Sequence, residues 1–308
     1  MAEPGITVIV CTRDRPLQLE HCLRGLSRQT YSEFDVLVVD NASAFPVLEL
    51  CRRHGVGYIL EPATGLSRAR NLGARTARGD LIAYIDDDAI ADPGWLNALV
   101  REFADPEVAA VCGKYRYMKT HDDPAVMSDD EFTEGIVARP PGRFHRKTPE
   151  WFALACFGGI GEGSNMAFRR ELVAYACRFD ERIGRGRLLD AGEESVMFLS
   201  LISRGHSIVR APEAVIRHPY PAAPTMQRDL RLQQLRTAVA HVFLLWFEFP
   251  GYRAEILRHL GRAVRKRLTR SAVMQVAPIR LRRWQAVRAV LGGAVLYWKA
   301  RREPGRVC

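Results

Sequence analysis

The chain has 308 residues, and 47% of them are hydrophobic, which is enough for a core in one large or two modest domains and excludes a disordered protein. The formal net charge is +10, but residues 228–308 carry 18 Lys and Arg against four acids, so residues 1–227 are net acidic at −4. The longest charge-free apolar runs, 239–247 and 289–298, are shorter than the roughly 20 residues of a membrane-spanning helix.

Two further features bear on the compartment of the protein. No basic-then-apolar leader opens the chain, so we expect no cleaved signal peptide. The seven cysteines are an odd number and form no CxxC pair, which predicts reduced, mostly buried thiols. Both features predict a cytoplasmic protein.

The first third of the chain alternates between strand and helix patterns. Short apolar runs predict strands at 6–10, 35–39, 57–60 and 81–85, and helical spacing predicts helices at 16–28, 46–54 and 66–77. Strands that alternate with helices in this way predict an α/β fold with a doubly wound, mainly parallel, Rossmann-like sheet.

The rest of the chain has a different texture. Residues 120–149 are polar and proline-rich, which predicts a long loop or lid. Helices are predicted at 169–177 and 193–204, a strand at 207–210, and a basic helical region from residue 228 to the end.

Three consecutive aspartates, Asp86, Asp87 and Asp88, directly follow the strand pattern at 81–85. Carboxylates at the end of a buried strand repel one another, so the pattern indicates a bound cation. Oxygen ligands favour Mg²⁺ or Mn²⁺, which keeps open positions for a phosphate-bearing substrate. The alternative is that acidic residues open a helix with Asp92 as its cap, although capping does not need three more carboxylates.

Polar residues also stand where the first and second strand patterns end, at Thr12, Arg13, Asp40 and Asn41. Ligands of parallel sheets bind at the carboxyl ends of the strands, so we expect these residues to share one edge with the aspartates. The helix predicted at 66–77 begins with guanidinium groups, including Arg70, which suit a phosphate.

Eight segments combine these strand ends with turns and acidic pairs in a defined order: VIVCTRDRP, VVDNAS, GLSRARNLGA, YIDDDA, GEGSNMAFRREL, RFDERIG, GEES and IVRAPEAVIRHP. Any one segment is weak evidence for a family. All eight in this order resemble the bacterial type of inverting family 2 glycosyltransferase, which has the GT-A fold. The resemblance covers about residues 6–219. It implies a GT-A catalytic domain over 1–227, with a nucleotide-binding half (1–115) and an acceptor-binding half (116–227) that includes the loop at 120–149, followed by a basic amphipathic helical region over 228–308.

The resemblance also implies roles for matching residues. The donor would be bound by Thr12, Arg13, Asp40, Asn41, Arg70, Asp86, Asp87 and Asn165. Within that set, Asp40 would accept a hydrogen bond from a uracil or thymine ring. A Mn²⁺ or Mg²⁺ ion that bridges the donor diphosphate would be held by Asp88, Asp86 and His218. From the residues alone, His218 fits an ordinary surface histidine at a strand end better than a metal ligand, and only the resemblance makes the two interpretations equal.

The expected catalytic base departs from the family pattern. Family members commonly carry Gly-Glu-Asp, whereas this chain has Gly192, Glu193 and Glu194. A glutamate is one methylene longer, so Glu194 is the expected base for an acceptor that sits slightly farther away. Glu193 and Asp190 are the substitutes near the same turn. The alternative is that two glutamates simply open a helix, where negative charge is favourable.

The resemblance implies a nucleotide-diphospho-sugar donor, with UDP favoured and dTDP as the alternative. The acceptor would be a hydroxyl of a glycolipid, a saccharide, a natural product or a peptide. Two other functions stay open. A non-catalytic sugar-nucleotide-binding or scaffold protein is supported by the Glu194 substitution, and a sugar nucleotidyltransferase would need a glycine-rich phosphate loop that CTRDRP lacks.

The C-terminal region carries amphipathic patterns. Apolar residues at 256, 257, 260, 264 and 268 fall on one helical stripe among arginines, and a second basic cluster precedes the apolar run at 289–298. Over 253–302 this pattern suits an anionic membrane surface, at the inner face of the membrane. The alternative is a helical pair that packs on the catalytic domain or forms a homodimer. We expect no nucleic-acid binding, because the body lacks interleaved aromatic and basic residues.

Overall fold

A computed structural model describes residues 4–118, 133–134, 141–219, 224–268 and 283–305. These residues fall into two compact units. The first unit contains 4–181 and 193–219, and the second contains 182–192 and 224–305. The second unit therefore takes one internal loop of the chain together with the C-terminal helices.

The first unit is built on one large sheet, which confirms the predicted α/β fold. Its strands are β1 (Ile6–Thr12), β2 (Phe34–Asn41), β3 (Gly57–Glu61), β4 (Leu81–Asp86), β5 (Ile90–Ala91), β6 (Val108–Met118), β7 (Thr133–Glu134), β8 (Gly142–Phe144), β9 (Asn165–Arg169) and β10 (Ser207–Pro219). The order is β3-β2-β1-β4-β9-β6-β10-β5, with β7 on β6 and β8 on β10. The strands β3, β2, β1 and β4 are parallel neighbours, and β9 is antiparallel to both β4 and β6.

Six helices belong to the described part of the first unit: α1 (Pro16–Leu26), α2 (Leu48–Arg53), α3 (Leu66–Thr76), α4 (Trp95–Glu102), α5 (Trp151–Cys156) and α6 (Glu193–Ser203). The apolar run of β1 alternates between the two faces of the sheet and is buried on both. On one face Val8 and Val10 join a core cluster with Leu19 of α1 and Trp95 of α4. Each such aliphatic side chain contributes about 1.5–3 kcal/mol through burial.

The strand registers bring three strand ends to one edge of the sheet. Thr12 of β1 lies opposite Asp40 of β2, and Cys11 lies opposite Asp86 of β4. The expectation that the polar residues after the first, second and fourth strands share one edge is confirmed. This edge carries the candidate site.

Two elements of the first unit differ from the prediction. Residues 165–169 form β9, whereas the pattern predicted a turn and then a helix from Arg169, and only a short π-helix, Leu172–Ala176, follows. The buried side chains of Met166 and Phe168 fill an antiparallel position between β4 and β6. A short buried apolar run looks the same in a strand and in a helix, so the pattern could not separate them.

The strand predicted at 207–210 is longer in the structure. β10 continues to Pro219 past a register irregularity between Arg210 and Val215. Pro212 and Glu213, both exposed, interrupt the apolar pattern there, which is why the sequence predicted an early end.

Most of the lid predicted at 120–149 lies outside the described residues. Its described parts include the short strands β7 and β8, which pair with β6 and β10.

The second unit contains α7 (Pro224–Glu248), a 3-10 turn (Pro250–Tyr252), α8 (Arg253–Leu268) and α9 (Arg283–Ala300). A bidentate ion pair joins Arg182, in the internal loop, to Glu248 of α7 through contacts of 3.1 and 2.9 Å. Both side chains are buried. Among the described helices, none combines the length and the apolar character that crossing a bilayer would require.

Candidate active site

The three aspartates lie where β4 ends, at the edge of the sheet where β1 also ends. Thr12 donates a hydrogen bond to Asp87 at 2.8 Å. The guanidinium of Arg15 contacts both Asp87, at 3.2 Å, and Asp88, at 3.0 Å. Arg15 was not among the predicted site residues, although it stands in the same CTRDRP segment as Thr12.

His218 reaches the same cluster from the end of β10. Its Nε2 lies 3.2 Å from a carboxylate oxygen of Asp88 and 3.8 Å from one of Asp86. One ligand atom from each of Asp86, Asp88 and His218 lies within 4.8 Å of the others. The side chains are partly exposed, so a substrate can approach them. The structure thus brings together the three residues of the expected metal site.

Burial and neighbouring charges shift the pKa values of His218 and Asp87 in the cluster. Burial by itself lowers the pKa of His218, but its hydrogen bonds to Asp86 and Asp88 and their charges outweigh burial and raise it to about 10. Burial raises the pKa of Asp87 to about 6, against the lowering effects of the Thr12 hydrogen bond and of the Arg15 charge. The negative charge of Asp86 and Asp88 therefore favours a positive charge at His218.

This donor set fits a divalent cation. Two carboxylates and one imidazole converge, and carboxylate oxygens are the ligands that Mg²⁺ and Mn²⁺ prefer. An imidazole nitrogen favours Mn²⁺ over the harder Mg²⁺.

Asp92, which the sequence offered as a helix cap, has another role. Its carboxylate accepts a 2.7 Å hydrogen bond from Arg217, and α4 has no side-chain cap.

A second acidic group lies at the start of α6. Glu193 forms a 2.7 Å ion pair with Arg70, and both side chains are buried. Glu194 is half-buried. Burial and the adjacent charge of Glu193 raise the pKa of Glu194 above its ordinary value, although Arg70 opposes the shift. A carboxyl group with a raised pKa is suited to exchanging protons near neutral pH.

Arg70 contacts several groups around the site besides Glu193. Its guanidinium also donates to the carbonyl of Gly163 at 2.9 Å and lies 3.8 Å from Asp86. It lies over the rings of Tyr84 and Phe179. The sequence suggested that Arg70 faces a phosphate, whereas the structure buries it and pairs it with Glu193, so its main contacts are with the protein.

Glu162 is a further carboxyl group that sequence reasoning missed. Burial raises its pKa to about 7, while His218 and Arg210 lower it and Asp86 raises it further. Its carboxyl group therefore lies within electrostatic range of the cluster. One feature of the sequence could have indicated a site role for Glu162. It stands between two glycines in GIGEGSN, where the sequence pattern gives a charged residue neither a helix to cap nor a partner to pair with.

Three other predicted donor-binding residues are committed to contacts inside the protein. Asp40 is fully buried and accepts hydrogen bonds from the backbone of Ser43 and Val47 and from Tyr58. Asn41 joins the β2 loop to the start of α3, through the carbonyl of Ala63 and the amide of Gly65.

The third is Asn165, which is almost completely buried. Its amide donates to the carbonyls of Lys114 and Ala214, each at 2.9 Å, and accepts from the indole of Trp95, also at 2.9 Å. These contacts tie β9 to β6 and β10. In the structure, Asp40, Asn41 and Asn165 hold the framework of the site.

For two further predicted residues the structure shows other contacts. Arg13 is exposed and contacts Asp14 at 3.6 Å. Asp190, a predicted substitute for the base, belongs to the second unit, where it accepts a hydrogen bond from Gln233 at 2.5 Å. Gly192, between Asp190 and Glu193, has a φ of +105°, a conformation that a residue with a side chain rarely adopts.

Comparison with known proteins decides the family. Residues 7–174, more than half of the chain, match the family described as Glycosyl transferase family 2. The chain belongs to this family. It is 27% identical over 303 residues to the succinoglycan biosynthesis protein ExoM of Rhizobium meliloti (strain 1021), and the match covers 94% of this chain and 91% of that protein.

Solved structures of similar fold are GT-A enzymes, which confirms the predicted fold. The mannosyltransferase PcManGT from Pyrobaculum calidifontis, in complex with GDP-Man and Mn²⁺, superposes with a TM-score of 0.57 at 19% identity, over 98% of this chain and 89% of that one. TarS of S. aureus, in complex with UDP-GlcNAc, gives 0.53 at 14% identity, over 77% and 66% of the two chains. The family 2 glycosyltransferase therefore transfers a glycosyl group from a nucleotide sugar.

Proposed function

We propose that this glycosyltransferase is metal-dependent and inverting, and that it uses Glu194 as the base that deprotonates an acceptor hydroxyl. The observation that carries the proposal is the convergence of Asp86, Asp88 and His218 at the carboxyl edge of the sheet. A half-buried glutamate with a raised pKa, at the start of α6, supports it.

Asp88, Asp86 and His218 would hold Mn²⁺ or, less favourably for the imidazole, Mg²⁺. When bound there, the ion neutralises negative charge that develops on the departing diphosphate. Arg15 places a further positive charge beside the same carboxylates. Thr12 donates a hydrogen bond to Asp87, and this bond holds the Asp87 carboxylate in one orientation at the edge of the sheet.

The donor nucleotide is proposed to lie along the ends of β1 and β2, near Thr12 and Arg13. Asp40 and Asn41 hold the loop after β2 in place, and the exposed Arg13 offers a charge to a phosphate. UDP stays the favoured nucleotide and dTDP the alternative. The structurally similar enzymes carry UDP-GlcNAc in one case and GDP-Man in the other, so the nucleotide is for experiment to identify.

The chemistry at Glu194 is a single displacement. The acceptor oxygen forms a bond to the anomeric carbon while its proton passes to the carboxylate of Glu194, and the bond from that carbon to the diphosphate oxygen breaks. Attack opposite the leaving group inverts the anomeric configuration. Glu193 is unsuited to this role because Arg70 holds it as an ion pair, and its buried charge keeps the proton affinity of Glu194 high.

The acceptor is proposed to be a hydroxyl of a growing saccharide. ExoM, which is similar along almost its whole length, is named for succinoglycan biosynthesis. Glycolipids, natural products and peptides are the other acceptors that the resemblance admits.

The direct test is release of free nucleoside diphosphate from a panel of nucleotide sugars with Mn²⁺. We expect turnover that a chelator abolishes, and a loss of about 100-fold or more in Asp88→Asn, because a charged ligand of the ion is removed. Asp80→Asn, an exposed aspartate away from the site, is the matched control and should keep full activity. Turnover that ignores both the chelator and Asp88→Asn would refute metal dependence.

A non-catalytic sugar-nucleotide-binding protein is the second candidate, because Glu194 stands where the family commonly has aspartate. The same panel separates the two functions. Tight binding of one nucleotide sugar without hydrolysis or transfer, in the presence of Mn²⁺ and candidate acceptors, would favour the binding protein. Stereochemical analysis of a transferred product by NMR tests inversion independently.

A further inference from the structure

Helix α9 of the second unit has two apolar faces, and only one of them is buried. Ala289, Gly293, Tyr297 and Ala300 are buried. The close contact with α7 explains this face, because a Cβ on Gly293 would lie 2.6 Å from the carbonyl oxygen of Arg236. The small residues of α9 thus let the two helices approach closely.

The other face of α9 is exposed along its whole length. Its residues follow one another at intervals of three or four, so they form one stripe along the helix: Trp284, Val287, Leu291, Val295 and Trp298. Their exposed fractions lie between 45% and 63%. At 1.5 Å per residue the stripe is about 21 Å long. Single exposed apolar residues are ordinary, but a continuous stripe with a tryptophan at each end indicates an interaction surface.

The residues around this stripe are positively charged, which favours a partner with negative charge. Residues 284–302 contain four basic residues and no acidic one. Arg288 lies over the ring of Trp284, and Arg301 lies over the ring of Trp298. Indole rings at the ends of an apolar stripe, with arginines beside them, are typical of the boundary between lipid headgroups and acyl chains.

We propose that the exposed face of α9 binds the surface of an anionic lipid bilayer, with the helix lying in the plane of the interface. A second copy of the chain fits less well, because residues 228–308 carry 18 basic and four acidic residues and two such surfaces would repel each other. A bilayer with anionic headgroups supplies both the apolar layer and the opposite charge.

Helix α8 does not form the single exposed apolar face that its sequence pattern predicted. Ile256 is buried, whereas Leu257 and Leu260 are exposed, so the predicted stripe on α8 does not form one exposed face. The side chains of Val264 and Leu268, and the basic cluster at 280–283, lie outside the described side chains. The proposal therefore rests on α9.

The test is flotation of the full-length protein with lipid vesicles. We expect binding to vesicles of phosphatidylcholine with about 40% phosphatidylglycerol, weak binding to phosphatidylcholine alone, and a drop of about fivefold or more in about 0.5 M NaCl. Leu291→Asp should lower the bound fraction about fivefold or more, because it places a charge at the centre of the stripe.

The control is Leu17→Asp, an equally exposed leucine at the start of α1, where a negative charge is tolerated. It should bind vesicles like the unmodified chain, and equal unfolding temperatures would show that both variants fold. Absence of flotation at any phosphatidylglycerol content, or flotation that Leu291→Asp leaves unchanged, would overturn the proposal. So would a dimer in solution that Leu291→Asp dissociates, without vesicle binding by the unmodified chain.

Discussion

Glu194 is the proposed base, and its surroundings favour proton transfer. Burial and the charge of Glu193 raise its pKa, so the base form is lost at a higher pH than for an ordinary glutamate. If Glu194 accepts the acceptor proton, only the deprotonated form is active. Activity must then rise as the pH rises through the pKa of Glu194.

We expect Glu194→Gln to lower kcat by about 10²–10⁴-fold and to abolish the acidic limb of the pH–rate profile, because the proton acceptor is removed. Glu194→Asp should keep the limb but lower kcat, since the shorter carboxylate reaches less far. Glu213→Gln, an exposed glutamate on β10, is the matched control. An acidic limb that persists in Glu194→Gln would assign it to another group.

The ion pair of Arg70 and Glu193 shows how a residue near the chemistry can act through structure. Both partners are buried and 123 positions apart in the chain. Their attraction has to offset the loss of hydration of both groups, so the pair contributes little net stability, yet removing one partner leaves a buried charge without compensation.

We therefore predict that Arg70→Met lowers the free energy of unfolding by about 3–5 kcal/mol. The double variant Arg70→Met/Glu193→Leu should recover part of that loss, because neither charge remains. Arg101→Met, which breaks the exposed pair with Glu213, should change stability by less than about 1 kcal/mol. Urea denaturation measures all three. Equal losses in the Arg70 and Arg101 variants would show that burial does not set the cost.

At the scale of elements, the loop at 182–192 is the segment that directly precedes α6 in the chain. It packs with the C-terminal helices in the second unit, through Arg182 and Glu248 and through the half-buried pair of Arg187 and Glu303. Such a loop has few backbone hydrogen bonds of its own, so its order depends on these side chains.

We predict that Glu248→Ala releases this loop. Tryptic cleavage after Arg185 and Arg187 should become about tenfold faster or more, because the buried guanidinium of Arg182 loses its carboxylate and the loop opens more often. Glu255→Ala, which removes a surface pair within α8, is the control and should leave the rate unchanged. Mass spectrometry of the fragments identifies the cleavage sites. Unchanged cleavage in Glu248→Ala would mean that other contacts hold the loop.

At the scale of the whole molecule, ligand binding should appear as stability. A ligand at about 100 times its Kd stabilises the folded state by about 2.7 kcal/mol. We predict that Mn²⁺ with a matching nucleoside diphosphate raises the unfolding temperature by several degrees, and that either ligand alone does less. Differential scanning fluorimetry with unmodified protein and with His218→Ala tests this. A shift of equal size in His218→Ala would exclude His218 from the metal site.

The elements differ in how well their sequence patterns predicted them. The strands β1 and β4 could be predicted because each is a short apolar run with a sharp polar end. The helices α1 and α3 could be predicted from the helical spacing of their buried residues. β9 could not, because its buried apolar residues are compatible with either period and its place depends on the gap between β4 and β6.

The sequence by itself determined the fold class, the edge at which the site lies and the aspartates that carry its charge, because strand periodicity and strand ends are local properties. The family resemblance suggested His218 as a partner of those aspartates, but only the tertiary structure decided that it reaches them. Only the structure decided that Arg15 joins them, that Arg70 pairs with Glu193, and that Asp40 and Asn165 turn inward. These contacts join residues that are often more than 70 positions apart, and which strand ends become neighbours depends on how the crossovers order the sheet.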